Sequence, residues 1–153
     1  MWENRRMDNT DLFICIDHVG LAVADLDEAI KFHTEVFGWR VLHREVNEEQ
    51  GVAEAMMGTG SQLPESAQIQ LLAPLNENST IAKWLTRNGG PGMQQLCYRV
   101  ADIDAVSATL RERGVRLLYP EPKTGTGGAR INFVHPKDAG GVLLELTQPG
   151  TGH

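Results

Sequence analysis

Two similar stretches of the sequence, separated by a constant interval, constrain the fold more than any other feature. The chain reads DHVGLAVADLD at positions 17 to 27 and QQLCYRVADID at positions 94 to 104. Val23 and Val100 lie 77 residues apart, and the same interval separates His18 from Gln95. Because one register relates both an apolar pair and a polar pair, the two stretches indicate an internal duplication.

Each copy predicts the same order of secondary structure. In the first copy, a strand FICIDHVGLAV precedes a helix LDEAIKFHTEVF, which Asp25 caps and Gly38 ends. Three strand candidates follow, and the middle one is the weakest because its Ala, Glu and Met also suit helices: WRVLHREV, GVAEAMM and AQIQLL. In the second copy, Asp102 caps the helix IDAVSATLRERG, and the strand candidates are MQQLCYRV, VRLLYPE, ARINFVH and GVLLEL.

The duplicated order predicts an α+β fold in one domain over residues 1–153, made of two fused modules. Module 1 spans approximately residues 12–75, and module 2 spans approximately residues 92–149. Between them, STIAKWL predicts a linker helix within residues 78–88, with Ser79 near its N-cap.

Composition excludes several functional classes. The chain is 41% hydrophobic and 22% charged, as in ordinary globular proteins, and its net charge of −6 argues against a nucleic-acid partner. It has no apolar run of about 18 residues, and the start MWENRRMDNTDLF lacks a signal-peptide core, so neither membrane insertion nor export is expected. Cys15 and Cys97 lie in apolar runs, which indicates buried thiols in a reducing compartment. We therefore expect a cytoplasmic protein.

Polar side chains recur at equivalent positions of the duplicated strands. Since side chains alternate across a strand, His18 lies opposite the apolar face of the first strand, and Gln95 takes the same place in the second copy. Gln70 and Glu145 likewise lie opposite the apolar residues of the last strand of each module. If the sheets curve toward each other, these four side chains meet.

A histidine, a carboxylate and amide oxygens are suitable ligands for a divalent metal. A single histidine in a strand is more often a core residue, but the placement of four polar residues at repeat-related positions favours a metal site. The oxygen donors favour Mn, Mg or Co over a pure zinc site, and the identity of the ion stays open among Co, Mn, Mg and Zn.

The chain resembles the methylmalonyl-CoA epimerase family of the vicinal oxygen chelate superfamily, which is also called the glyoxalase superfamily. The similarity extends from about Asp11 to Gln148 and is carried by LFICIDHVGLAV, NEEQGVAEAMM, IQLLAPLNENSTIAKWL, VSATLRERGVRLLY, RINFVHPKDAGGVL and LELTQ. This resemblance implies two tandem βαβββ modules that form a cupped mixed sheet around one metal site, in a homodimer.

The resemblance also implies the ligands of that metal. By position they are His18, Gln70 and Glu145, with Gln95 as the fourth. The family commonly has a His-His pair where this chain has Gln94 and Gln95. Because a neutral amide oxygen binds borderline metals more weakly than imidazole does, this departure predicts an altered affinity or metal preference, unless Gln95 instead hydrogen-bonds to a bound water.

The implied activity is that of an isomerase, a metal-dependent epimerase acting on methylmalonyl-CoA. It interconverts the (2R) and (2S) forms by moving the C2 proton through a metal-stabilised enolate, in propionyl-CoA and succinyl-CoA metabolism. Glu54 matches the family's catalytic glutamate, and its alanine and methionine neighbours predict an apolar setting that raises its pKa. Glu145 is the candidate for the second base. On the residues alone, a solvent-facing Glu54 is the commoner case.

A group of polar residues in module 2 offers a further possibility. They could hold a carboxylate or the CoA phosphates, but such side chains are mostly ordinary surface residues, and the surface interpretation is favoured. The group is Arg130, Asn132, His135 and Lys137.

Three other functions compete on this scaffold. A glyoxalase-type lyase would act on a glutathione adduct. An iron-dependent ring-cleaving dioxygenase needs two histidines and a carboxylate, and Gln95 stands where the second histidine would be. A metal-free small-molecule-binding protein needs neither the ligand set nor Glu54, so their joint presence argues against it.

Overall fold

The computed structural model describes residues 12–60 and 66–150. Residues 1–11 lie outside the described residues. They contain most of the stretch MWENRRMDNTDLF, from which we predicted that no signal peptide is present. No helix within the two described ranges is both long enough and apolar enough to cross a membrane.

The helices and strands, in chain order, are β1 (Cys15–Ala22), α1 (Leu26–Phe37), β2 (Arg40–Asn47), β3 (Val52–Gly58), β4 (Gln68–Pro74), α2 (Thr80–Asn88), β5 (Gly92–Arg99), α3 (Ile103–Glu112), β6 (Lys123–Thr124), β7 (Arg130–Val134) and β8 (Leu144–Gln148).

The chain forms two compact units. The central unit runs from His18 to Gln95, and the flanking unit combines the residues before His18 with those from Leu96 onward. The cuts fall inside β1 and β5, so each of these strands contributes to both units. The module boundaries read from the sequence follow the duplication instead, and they stay a prediction.

In the central unit, one sheet face packs against α1. The strand order is β2, β3, β4 and β1, with β4 antiparallel to β3 and parallel to β1. Alternate residues of the strands point toward the helix and bury their apolar side chains with it, as the alternation in the sequence predicts. This core contains Leu26, Ala55, Met57, Leu71 and Ala73.

The flanking unit repeats this arrangement with α3. Its strands have the order β5, β8, β7 and β6, with β8 parallel to β5 and antiparallel to β7. The side chain of Gln148, at the end of β8, accepts the backbone N–H of Ile103 at 2.9 Å, which ties the last strand to the start of α3. The core of this unit contains Leu12, Val100, Ile103, Val106, Val134 and Leu146.

The helix caps confirm the sequence prediction. Asp25 accepts the backbone N–H of Glu28 at 3.0 Å, and Asp102 accepts that of Ala105 at 3.1 Å, so the two copies begin their helices in the same way. Ser79 caps α2. Gly38 ends α1 with a φ of 73°, in the left-handed region that favours glycine.

The prediction of a regular strand at VRLLYPE is wrong. This segment makes one isolated bridge, between Leu117 and Val134, and the strand that follows is only Lys123–Thr124. Pro120 and Pro122 have no backbone N–H to donate to a ladder, so pairing cannot continue through them. By contrast, GVAEAMM, the weakest strand candidate, is part of β3.

Candidate active site

Four buried polar side chains lie on strands of the central unit. His18 is on β1, Glu54 on β3, Gln70 on β4 and Gln95 on β5, and each is at most 9% exposed. In the sheet register, Gln70 pairs with Gly20 on one side and with Met56 on the other. His18 and Glu54 lie two residues from these partners, so both share the face of Gln70, opposite the α1 core.

Hydrogen bonds join three of these side chains in a row. The Nε2 of Gln95 donates to the Oε1 of Gln70 at 2.8 Å, and the Nε2 of Gln70 donates to the Oε2 of Glu54 at 3.0 Å. Gln70 is therefore acceptor at one end and donor at the other. The structure thus brings together Gln95, Gln70 and the predicted base Glu54.

Gly20 is the residue that the sequence interpretation overlooked. A Cβ built on Gly20 would lie 2.5 Å from the Cγ of Gln95, much closer than real Cβ contacts. Gly20 has no positive φ, so the glycine serves the close approach of a side chain rather than an unusual backbone conformation. A glycine inside a strand was the available signal, since such positions often mark a close contact.

The end of this face next to Glu54 is covered by α2. On the face that carries Glu54, Val52 and Leu72 bury their side chains with Ile81 of the helix. Glu54 is 7% exposed, so its buried setting agrees with the sequence prediction, although the cause differs. Its sequence neighbour Ala55 packs on the opposite face, against α1. The residue that pairs with Glu54 on β4 is Leu72.

Glu145 is buried in the flanking unit, where it pairs with Cys97 on β5 and Phe133 on β7. Burial, and then the negative charges of Glu145 and Asp17, raise the pKa of the Cys97 thiol. Burial and the charge of Glu145 also raise the pKa of Tyr119. Burial, together with the negative charge of Glu145, thus favours the neutral forms of both groups.

An ion pair in the flanking unit was not predicted. The Nε of Arg99 donates to the Oδ1 of Asp17 at 2.7 Å, and the two side chains are 19% and 18% exposed. Arg99 lies two residues after Cys97 on β5, hence on the same face. The available signal was one charged residue, of opposite sign, in each of the duplicated strands.

The polar group of module 2 has structural contacts. Arg130 forms an exposed ion pair with Asp104 at 2.8 Å. Asn132 is fully buried, accepts the backbone N–H of Tyr119 at 3.1 Å and donates to its carbonyl at 3.0 Å. These contacts agree with ordinary roles for Arg130 and Asn132, but Asn132 belongs to the interior rather than the surface.

The donor set of the central unit fits a divalent metal. His18 offers an imidazole, and Gln70 and Gln95 offer amide oxygens, all buried on polar positions of strands. A carbonyl oxygen has two lone pairs, so the Oε1 of Gln70 can accept from Gln95 and still bind a cation. Such a mixture of imidazole and oxygen donors suits ions of intermediate hardness.

Comparison with known proteins identifies the class. A family model described as the Glyoxalase/Bleomycin resistance protein/Dioxygenase superfamily matches residues 17–133. The chain belongs to this superfamily, and its α+β fold is the vicinal oxygen chelate fold.

Several of the similar proteins within the superfamily are methylmalonyl-CoA epimerases. A solved structure of selenomethionine methylmalonyl-CoA epimerase has 61% sequence identity and a TM-score of 0.89, covering 94% of this chain and 100% of that chain. A methylmalonyl-CoA epimerase solved in complex with methylmalonyl-CoA and NH4+ has 45% identity and a TM-score of 0.84, covering 92% and 96%. The ethylmalonyl-CoA/methylmalonyl-CoA epimerase of Cereibacter sphaeroides is 38% identical over 134 residues, which are 87% of this chain and 96% of that protein.

Proposed function

We propose that this chain is a methylmalonyl-CoA epimerase that moves the C2 proton of its substrate and thereby interconverts the (2R) and (2S) forms. The observation that carries the proposal is the buried carboxylate of Glu54, held by the amide of Gln70. The similarity to epimerases over nearly the whole chain agrees with it. We propose that this reaction serves the metabolism of propionyl-CoA and succinyl-CoA.

Glu54 is the proposed base for one face of the substrate. The C2 proton lies between a thioester and a carboxylate, and its removal leaves an enolate, so the base must be held in line with the C2–H bond. The hydrogen bond from Gln70 orients the carboxylate of Glu54. Burial beneath α2 keeps competing water away from that end of the face.

Glu145 is the proposed base for the opposite face. Epimerisation requires a proton to leave on one side of C2 and return on the other, so a second group must exchange protons there. Glu145 is a buried carboxylate, which supports the assignment. Its proposed second role as a metal ligand would make it the weaker base of the two.

We propose that His18, Gln70, Gln95 and Glu145 hold one divalent ion, with Co, Mn, Mg and Zn as the candidates. The buried imidazole and amide donors of the central unit support this set. Lewis-acid stabilisation of negative charge on the substrate's thioester oxygen is the chemistry that such an ion supplies when bound.

We propose a homodimer in the cytoplasm. Strand β2 lies at the edge of the central unit's sheet and exposes Val41 and Val46, which are 43% and 55% exposed. Phe32 and Phe37 of α1, 49% and 57% exposed, add apolar surface to the same unit. A second copy would cover this surface and the strand edge. The location rests on Cys15 and Cys97, which are not joined in a disulfide.

The test is deuterium uptake by each epimer of methylmalonyl-CoA in deuterium oxide, followed by proton NMR. Metal-depleted protein is compared with samples that contain Co, Mn, Mg or Zn, and ethylmalonyl-CoA is run in parallel. We expect ion-dependent loss of the C2 proton signal and formation of the other epimer. Absence of uptake with every ion contradicts the proposal.

The same preparations separate the competing functions. Turnover of the hemithioacetal of methylglyoxal and glutathione, without exchange of methylmalonyl-CoA, would favour a glyoxalase-type lyase. Protein that binds no ion, and that a chelator does not affect, would favour a metal-free binding protein.

A further inference from the structure

The orientation of the Gln70 side chain decides how the base is held. The oxygen and the nitrogen of an amide have nearly the same size, so hydrogen-bond partners rather than shape select one orientation. With its Nε2 toward Glu54, Gln70 donates to the carboxylate. In the reversed orientation, the carbonyl oxygen of Gln70 would face the carboxylate, and two acceptors would oppose each other.

The carboxylate of Glu54 only accepts, so it excludes the reversed orientation, and Gln95 stabilises the observed one. The Nε2 of Gln95 donates to the Oε1 of Gln70 at 2.8 Å, and this bond is possible only when the oxygen of Gln70 faces Gln95. The nitrogen of Gln70 must then face Glu54, 3.0 Å from its Oε2. The carboxylate of Glu54 therefore sets the hydrogen-bond polarity of the row, and the amide of Gln95 holds Gln70 in place from the other end.

Gly20 gives Gln95 the space to reach Gln70. Gly20 is the sheet partner of Gln70, and the side chain of Gln95 lies where a Cβ on residue 20 would project, 2.5 Å from its Cγ. Gly20 has no positive φ, and the three atoms nearest to an added Cβ all belong to Gln95, so the side chain of Gln95 takes the space that the glycine leaves.

We propose that Gln95 is a positioning residue, which aligns the base Glu54 through Gln70, and that Gly20 is required for this role. The inference rests on the proposed function, since it assigns a purpose to the row that ends at Glu54. It concerns the hydrogen bond from Gln95 to Gln70. The inference applies whether or not Gln95 also coordinates an ion.

The first measurement uses metal-free protein without substrate. The side-chain amide signals of Gln70 in nitrogen-15 NMR spectra are assigned by their loss in Gln70→Ala. We expect these signals to shift in Gln95→Ala and in Gly20→Ala. The matched control is Gly60→Ala, because no atom of the described residues beyond the chain neighbours of Gly60 lies within 4 Å of the added carbon. Here the signals should stay in place. Unchanged Gln70 signals in Gln95→Ala would overturn the inference.

The second measurement compares deuterium exchange from the two epimers in protein loaded with the preferred ion. We expect Gly20→Ala and Gln95→Ala to slow exchange from the epimer that Glu54 deprotonates by about 10- to 100-fold, the cost of a misplaced catalytic group. Exchange from the other epimer should fall less. The double variant should be no slower than Gln95→Ala, because shortening residue 95 removes the clash.

Equal losses from both epimers, or additive losses in the double variant, would overturn the inference. The two measurements also separate it from the proposed function. If the wild-type protein exchanges neither epimer, the proposed epimerase activity is contradicted, while the Gln70 amide signals still decide whether Gln95 orients Gln70.

Discussion

Replacement of Glu54 by glutamine tests the assignment of the base with little disturbance of the fold. The two side chains have nearly the same volume, and the new amide oxygen can still accept the Nε2 hydrogen bond that Glu54 now receives at 3.0 Å. The change removes a charge from a position that is 7% exposed. We therefore expect Glu54→Gln to alter the free energy of unfolding by no more than about 1 kcal/mol, the size of one net hydrogen bond.

The effect on the reaction should be much larger. A neutral amide cannot accept the C2 proton, so epimerisation should fall by about 10²–10⁴, the usual contribution of general acid–base catalysis. At about 1.36 kcal/mol for each tenfold change, this corresponds to roughly 3–5 kcal/mol in the activation barrier. The metal content should not change, because Glu54 is not a proposed ligand.

The assay follows deuterium exchange from each epimer together with thermal unfolding and metal analysis. Exchange from the epimer that Glu54 deprotonates should be lost, while the other epimer still exchanges slowly through the opposite base. Glu54→Leu is the matched variant, because it leaves the amide of Gln70 without this acceptor and should cost about 1–3 kcal/mol of stability. Near-normal turnover in Glu54→Gln would refute the reasoning, and loss of metal together with activity would make Glu54 a ligand.

Three further predictions follow from other parts of the molecule. Gln95→His should keep the fold and strengthen zinc or cobalt binding in calorimetric titrations, because imidazole replaces an amide; equal affinities would place residue 95 outside the ligand set. Side-chain hydrogen bonds from Arg116 lower the pKa of Asp138 to about 2, so stability from this pair is present above about pH 4 and lost as the pH falls toward 2. As the pH falls from about 4 to 2, the free energy of unfolding should therefore decrease more in the wild-type protein than in Asp138→Asn. Parallel profiles of unfolding free energy against pH would contradict the assignment. Light scattering should give a dimer mass that Val46→Lys reduces, and a monomeric wild type would count against the homodimer.

Local chemistry explains why much of the fold is predictable from the sequence. Asp25 and Asp102 cap helices through contacts three residues away, and such short-range signals need no knowledge of the rest of the chain. The alternation of apolar residues likewise assigns His18 and Gln70 to a polar face. The regular strand predicted at VRLLYPE failed because Pro120 within it and Pro122 just after it outweigh its apolar residues.

The contacts of the site are less predictable because they depend on long-range register. Gln95 and Gln70 are 25 residues apart, and their hydrogen bond needs both the pairing of β1 with β4 and the absence of a side chain at Gly20. A repeat analysis relates Gln95 to His18 and assigns it a ligand role. A comparison of the two copies cannot show whether the nitrogen or the oxygen of the Gln95 amide faces Gln70. The role proposed for Gln95 depends on its nitrogen donating to Gln70.

The position of β8 has a consequence for synthesis on the ribosome. The strand pairings of the central unit lie within residues 18–95, so they can form while the chain is still being translated. The flanking unit must wait for Leu144–Gln148, since β8 lies between β5 and β7. At about 5–20 residues per second, the delay is roughly 3–10 s. During that interval β5, and later β7 once it has been synthesised, expose edges with which nascent chains on neighbouring ribosomes can pair. A premature stop between Val134 and Leu144 would make this exposure permanent.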